Sequence, residues 1–233
     1  GMPVFSGGDD NLALLPAEVG LAAVEGLRDL YHGEKGFHRV GGCLVPAPVV
    51  YGKSFSLRFA SILDLMADQV SECTRLLEEV AKEAKWVRRS EELEKDTLVL
   101  SESRGGGVAL LPLGGGRESL KTLEAMHVAH LCGTLSTNLP EDYERVRDAV
   151  EAAAKAGKEG LAVEIFHRTL ERNVRRDKLE EKPVKLLLER ASKLGRLGVV
   201  EGPAPYGKGP GEKTALTVLS WLIEAYRVTR GYP

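Results

Sequence analysis

The chain has 233 residues, 43% of them hydrophobic and 28% charged, with a formal net charge of −2 at pH 7. That length accommodates one or two domains with a real core, and the composition excludes an intrinsically disordered chain. The near-neutral balance excludes nucleic-acid binding by bulk charge alone, and no apolar run approaches a membrane span, so no membrane partner is expected. Cys43, Cys73 and Cys132 are odd in number and far apart, which argues against a disulfide framework and for a cytoplasmic protein. Asn11, Asn138, Asn173 and Gln69 are the only amide side chains, a scarcity that with abundant Glu, Lys and Arg matches a thermophile's composition. Gly1 before Met2 reads as the remnant of a cleaved tag.

In chain order, the first feature is Gly7-Gly8-Asp9-Asp10, set between the apolar runs Pro3-Val4-Phe5-Ser6 and Asn11-Leu12-Ala13-Leu14-Leu15-Pro16. This pattern predicts two strands joined by a tight turn. Glycines take the positive φ angles that such a turn demands and leave room for a ligand beside the backbone. Adjacent aspartates offer hard oxygen ligands to magnesium, which binds through one or two carboxylates together with substrate phosphates. An acidic surface turn is the alternative, and the apolar flanks weigh against it.

Pro16 then starts an amphipathic helix through Val19, Ala23, Leu27 and Leu30, with Gly33 as its stop. A strand is predicted over 40–45, bounded by Pro46 and Pro48. A long helix is predicted over 59–86, its stripe including Ile62, Leu65, Met66, Val70, Leu76, Leu77 and Val80. Residues 97–100 and 108–113 form a second hairpin across Arg104-Gly105-Gly106-Gly107. Up to Gly116 there are 12 lysines and arginines against 17 carboxylates, and beyond it 20 against 17. Gly114-Gly115-Gly116 also marks a change from mixed to mostly helical patterning, so the expected domains are 2–116 and 117–233. Helices are predicted over 119–131, 141–156, 161–173, 182–194 and 215–228.

The stretch Phe5-Ser6-Gly7-Gly8-Asp9-Asp10-Asn11-Leu12-Ala13-Leu14-Leu15-Pro16 resembles the GGDD signature of the large palm-domain subunit of type III CRISPR effector complexes. The segment Leu76-Leu77-Glu78-Glu79-Val80-Ala81-Lys82 is similar to that family's helix ending in Ala-Lys, and the 97–113 hairpin to its closing strands. The resemblance implies an α+β fold: a partial ferredoxin-like, GGDEF/cyclase-type palm followed by a C-terminal α-helical domain. It implies ATP as substrate, two divalent ions (Mg or Mn), and cyclic oligoadenylate as the family's product in antiviral defence. Asp9 and Asp10 would be the catalytic metal ligands, Gly7 and Gly8 the nucleotide-side turn, and Lys82 the partner of the triphosphate. Other effector subunits would be its partners, with guide and target RNA reached through the complex.

Two departures from the family pattern stand out. A complete palm has a strand before the GGDD hairpin that carries another metal-binding aspartate, and this sequence opens on the hairpin. The chain therefore reads as a C-terminal portion of the subunit, inactive alone, with a sheet edge open to homodimerisation or to a missing segment. The family's Ser-Ala-Gly strand is matched here to Gly41-Gly42-Cys43.

Three other features are weaker. His127 and His130 lie one helical turn apart, and without a further ligand in register they read as packed helix residues. Gly207-Lys208-Gly209-Pro210-Gly211-Glu212-Lys213-Thr214 approaches a P-loop, but Glu212 places an anion where phosphate would lie. The 194–218 stretch resembles the helix and wing of a winged-helix domain, in which Arg168, Arg172, Arg175 and Arg176 would meet nucleic acid. On that alternative the acidic turn is incidental. Glu164, Glu171 and Asp177 beside these arginines favour a solvated helix face instead.

Overall fold

The computed structural model describes residues 1–7, 10–32, 37–46, 52–88, 91–104, 107–114, 118–178, 181–194, 199–203 and 213–232. It is an α+β protein. The predicted first hairpin forms from β1 (Met2–Gly7) and β2 (Asp10–Leu14), antiparallel and paired from Met2↔Leu14 to Gly7↔Asp10, with a register shift between Pro3 and Phe5. A 3₁₀ turn (Ala17–Val19) that starts after Pro16 leads into α1 (Gly20–His32), close to the sequence expectation.

The next region departs from expectation. The strand predicted over 40–45 is a hairpin, β3 (Phe37–Val40) and β4 (Cys43–Pro46). Gly41 and Gly42, matched above to a strand, form its turn at φ +55° and +85°, a left-handed pair that glycine adopts at low cost. The helix predicted over 59–86 is three elements: strand β5 (Phe55–Phe59), helix α2 (Met66–Leu76) with a π-helical turn (Leu77–Ala81), and strand β6 (Lys85–Arg88). Residues 60–65 cannot join the helix because Asp64 closes a local turn. Its Oδ2 accepts from the Ser61 amide at 2.8 Å and from the Ser103 hydroxyl at 2.5 Å. Ile62, assigned to the apolar stripe, is 98% exposed.

Strand β7 (Glu91–Glu94) pairs with β6, and the predicted second hairpin forms as β8 (Thr97–Glu102) and β9 (Val108–Pro112). β5 lies parallel to β8, giving a three-stranded sheet in the order β5-β8-β9. Leu98, Val99, Leu100, Ala109, Leu110 and Leu111 are fully buried, the continuous apolar run of strands covered on both faces.

The C-terminal part is α3 (Glu118–Leu131), α4 (Leu139–Glu144), α5 (Arg147–Lys155), α6 (Glu159–Asn173), α7 (Lys182–Leu194), the hairpin β10 (Val199–Pro203) and β11 (Lys213–Thr217), and α8 (Val218–Thr229). The single helix predicted over 141–156 breaks at Val146. That break lets α5 turn its own face to β11 while α4 packs on α6 and α8. The helix predicted from 215 begins only at Val218, because Thr217 is its N-cap and accepts from the Ser220 amide at 3.2 Å. α8 is buried nearly all round and lies against β9, so it is the shared core of sheet and helices. β10 also pairs with β6 (Val200↔Trp86), giving a four-stranded sheet ordered β11-β10-β6-β7 with strands from either side of Gly116.

Candidate functional site

The register pair Gly7↔Asp10 leaves only residues 8 and 9 between the strands, a two-residue connection. Gly8, Asp9 and the Asp10 side chain, and with them both expected carboxylate ligands, lie outside what the structure describes.

Asn11, next to Asp10, donates its side-chain amide to the Tyr31 hydroxyl at 3.3 Å, tying the hairpin to the end of α1. The Lys53 ammonium lies 3.4 Å from the centroid of the Tyr31 ring. Helix α1 is fixed to the body three residues earlier. There Arg28 makes a two-pronged contact to Asp96, Nε to Oδ1 at 2.9 Å and Nη2 to Oδ2 at 2.8 Å, with side chains only 15% and 14% exposed. The hydrogen bonds to Asp96 outweigh burial and hold the Arg28 guanidinium above its ordinary pKa.

Ser54, just before β5, donates to the Ala81 carbonyl at 3.0 Å. That contact sets Lys82 beside the start of β5, at the end of the π-helical turn, where its own amide donates to Leu77 O at 3.0 Å. Such turns recur at functional sites. The Lys82 ammonium is 2.5 Å from Glu78 Oε1, an exposed pair four residues apart. The structure thus joins Asn11, Tyr31 and Lys53, while Lys82 stands apart from them at the end of the π-helical turn, next to the residue that Ser54 bonds. The sequence pointed to Lys82 and the turn. Tyr31 and Lys53 carry no local signal, since their pairing arises only from the contact between α1 and the segment entering β5.

The alternative sites are accounted for by packing. The Thr229 hydroxyl donates to Ala225 O at 2.7 Å, so His127 Nε2 donates to Thr229 Oγ1, also at 2.7 Å. His130 Nδ1 meets the Tyr226 hydroxyl at 3.0 Å, and burial pushes that phenol up to about 12. Among the described residues no three His, Cys, Asp or Glu side chains cluster as a metal site.

Burial, with a smaller contribution from His130, lowers the His127 pKa from 6.5 to about 4. The unfolded chain therefore takes up a proton in this window that the folded chain does not. Stability is full above pH 6.5 and declines as pH falls toward 4, by up to about 3 kcal/mol. His127→Gln should flatten that decline in urea unfolding measured across the window. A decline of unchanged size would assign it to other groups.

The helix-and-wing pattern is present as α7 followed by β10 and β11, but β10 is an interior strand of its sheet. Arg168 pairs with Glu164 at 2.7 Å and Arg175 with Asp177 at 3.1 Å, while Arg172 Nε donates to Arg168 O at 3.3 Å. The Arg176 side chain and most of the 207–214 loop lie outside the described residues. The arrangement is that of a solvated, charge-balanced face. Cys43, Cys73 and Cys132 are free thiols, and no described helix is long and apolar enough to cross a membrane.

The fold is similar to that of one chain in the cryo-EM structure of the Type III-B Cmr-beta bound to cognate target RNA, with a TM-score of 0.74 and 20% sequence identity. The match covers 99% of this chain and 24% of that one, so the present chain spans about a quarter of its length. No protein-family model and no curated protein sequence matches the chain.

Proposed function

We propose that this chain is part of the large subunit of a type III CRISPR effector, carrying its GGDD nucleotide site and a helical region that docks other subunits. The observation that carries this reading is the Gly7-Gly8-Asp9-Asp10 turn, closed by the Gly7↔Asp10 pair, in a chain whose fold matches a subunit of an RNA-bound Type III-B complex over nearly its whole length. Guide and target RNA would then be partners through the assembly, in the cytoplasm, in antiviral defence.

The residues fit a divalent-ion site in donor type. Asp9 and Asp10 supply adjacent hard oxygens, and Gly7 and Gly8 have no Cβ to block a nucleotide at the turn. Asp9 and Asp10 would hold two such ions, which would supply Lewis-acid neutralisation of phosphate charge for an ATP-to-oligoadenylate transfer. Lys82 would neutralise triphosphate charge. Its exposed pair with Glu78 is worth about 0.5 kcal/mol.

β5 ends its sheet, and among the described residues the β1–β2 hairpin forms a separate sheet. A strand supplied from outside residues 1–233, or by a second copy, would join the two as a ferredoxin-like palm. We therefore expect the chain alone to bind ATP but to turn it over poorly. The test is calorimetric titration of ATP with and without magnesium. Magnesium-dependent binding lost in the Asp9→Ala/Asp10→Ala variant supports the reading. Salt-sensitive duplex binding that survives this change but is lost when Arg168, Arg172 and Arg175 become glutamine would replace it with the winged-helix alternative.

A further inference from the structure

Helix α1 meets the body through one narrow face. Gly20, Val24 and Arg28 recur every four residues and so share a side of the helix. Gly20 lies so close to Leu57 of β5 that a Cβ there would be 3.1 Å from Leu57 Cδ2. Val24 is the one described apolar side chain of α1 that is buried, and Arg28 ends the row on Asp96. Leu27 and Leu30, from the stripe expected to pack, are instead 38% and 68% exposed. The β1–β2 hairpin forms its own sheet among the described residues and is tied to α1 by the Asn11–Tyr31 bond. Hairpin and helix thus bury little apolar surface against the body, while Leu98, Leu100, Leu110 and Leu111 of β8 and β9 are fully buried. Units of this kind open at a free energy below that of global unfolding.

The other half of the contact is fixed. Lys95 and Asp96 lead from β7 into β8 at φ +62° and +54°, left-handed angles that non-glycine residues keep only when their surroundings impose them. The Asp96 carbonyl accepts from the Leu113 amide at 2.8 Å, and its backbone nitrogen would lie 2.8 Å from a Cβ on Gly52. A rigid turn therefore presents the carboxylate, and a lightly held helix presents the guanidinium. Their two parallel charge-assisted bonds make a strong, directional contact across that boundary.

We propose that α1 undocks from the β5-β8-β9 sheet and carries the β1–β2 hairpin with it, with the Arg28–Asp96 pair as the latch. Closed, the latch holds Gly20 against β5. Open, it uncovers the Leu57 side of β5, the strand that ends its sheet, while β8, β9 and α8 keep their packing. The Lys53 ammonium over the Tyr31 ring is a second, weaker contact that parts in the same motion.

Native-state amide hydrogen exchange on the whole chain, read by NMR at low urea concentrations and without nucleotide, tests the latch. In wild type the Val24–Arg28 amides should exchange about a hundredfold faster than those of β8 and β9, after correction for intrinsic rates, and with a weaker urea dependence. Asp96→Asn removes the charge but suits a left-handed position, and should speed exchange at Val24–Arg28 about tenfold. Glu151→Gln weakens contacts at the start of α8 that persist in the open state. It should therefore speed exchange in β8 and β9 and leave Val24–Arg28 unchanged. Exchange at Val24–Arg28 that matches β8 in rate and urea dependence, or that rises with it in Glu151→Gln, would show that α1 opens only when the whole fold does and overturn the proposal. Unchanged exchange at Val24–Arg28 in Asp96→Asn would overturn the role of the Arg28–Asp96 pair.

Discussion

Glu151→Ala is expected to lower the stability of the fold by about 3 kcal/mol. Glu151 is 8% exposed, and its carboxylate accepts from the Thr217 amide at 3.0 and 3.2 Å and from the Thr217 hydroxyl at 2.8 Å. It also accepts from the Ser220 hydroxyl, which leaves that oxygen to accept from the Tyr143 phenol at 2.8 Å. Burial holds the Tyr143 phenol well above its ordinary pKa, so it remains a donor. These hydroxyls and the carboxylate fix the start of α8, the helix shared by the β5-β8-β9 sheet and the helical layer. Truncation removes the acceptor of three interior donors; the Thr217 hydroxyl retains Ser220 Oγ at 3.2 Å, while the Thr217 amide and the Ser220 hydroxyl lose theirs, each at a cost of about 1–3 kcal/mol before any relaxation. Urea unfolding should show a lower midpoint at unchanged slope, and Glu151→Gln, which keeps one acceptor oxygen, should lose less. A midpoint within error of wild type would mean that the network does not anchor α8.

Gly52→Ala should be comparably damaging for a steric reason. Gly52 has φ +63°, where an L side chain costs about 1–2 kcal/mol, and its Cβ would strike the backbone of Asp96. Asp96 cannot retreat cheaply, since it is held at φ +54° and tied to Arg28. The combined loss should reach about 3 kcal/mol. Gly133→Ala is the internal control: its φ is +65°, but nothing lies within 4 Å of the added Cβ. Gly133 ends α3, where its amide donates to His130 O at 2.9 Å and that of Thr134 to Ala129 O at 2.9 Å. The control should lose only the backbone strain, about 1 kcal/mol. Equal losses at the two glycines in thermal or urea unfolding would remove the steric argument.

What could be read from the sequence follows the range of the interactions involved. The β1–β2 hairpin was legible because paired glycines and carboxylates between apolar runs specify a turn locally. The β8–β9 hairpin and helices α3, α6 and α7 were legible through periodicity and flanking glycines or prolines. The failures lie where a local pattern was overridden. Ile62 and Leu65 continue a helical stripe backwards from α2, yet Asp64 caps a turn there, and Phe59, where the predicted helix begins, is the last residue of a strand held by parallel pairing with β8. Trp86 likewise reads as the end of a helix until β10, more than a hundred residues later, pairs with its strand. In the candidate site, the turn and Lys82 were legible as motifs. Tyr31 and Lys53 were not, because the Arg28–Asp96 pair and the Asp96–Gly52 contact that bring them together join segments distant in sequence.

The measurement that bears most directly on the nucleotide site is a manganese titration followed by amide NMR, since a paramagnetic ion broadens the signals of nearby groups only. Broadening should centre on Gly7, Asp10 and Asn11, extend to Tyr31, Lys53 and Lys82, spare α7 and β11, and vanish in Asp9→Ala/Asp10→Ala. Broadening centred elsewhere, or unchanged in that variant, would contradict a metal-binding GGDD turn in this chain.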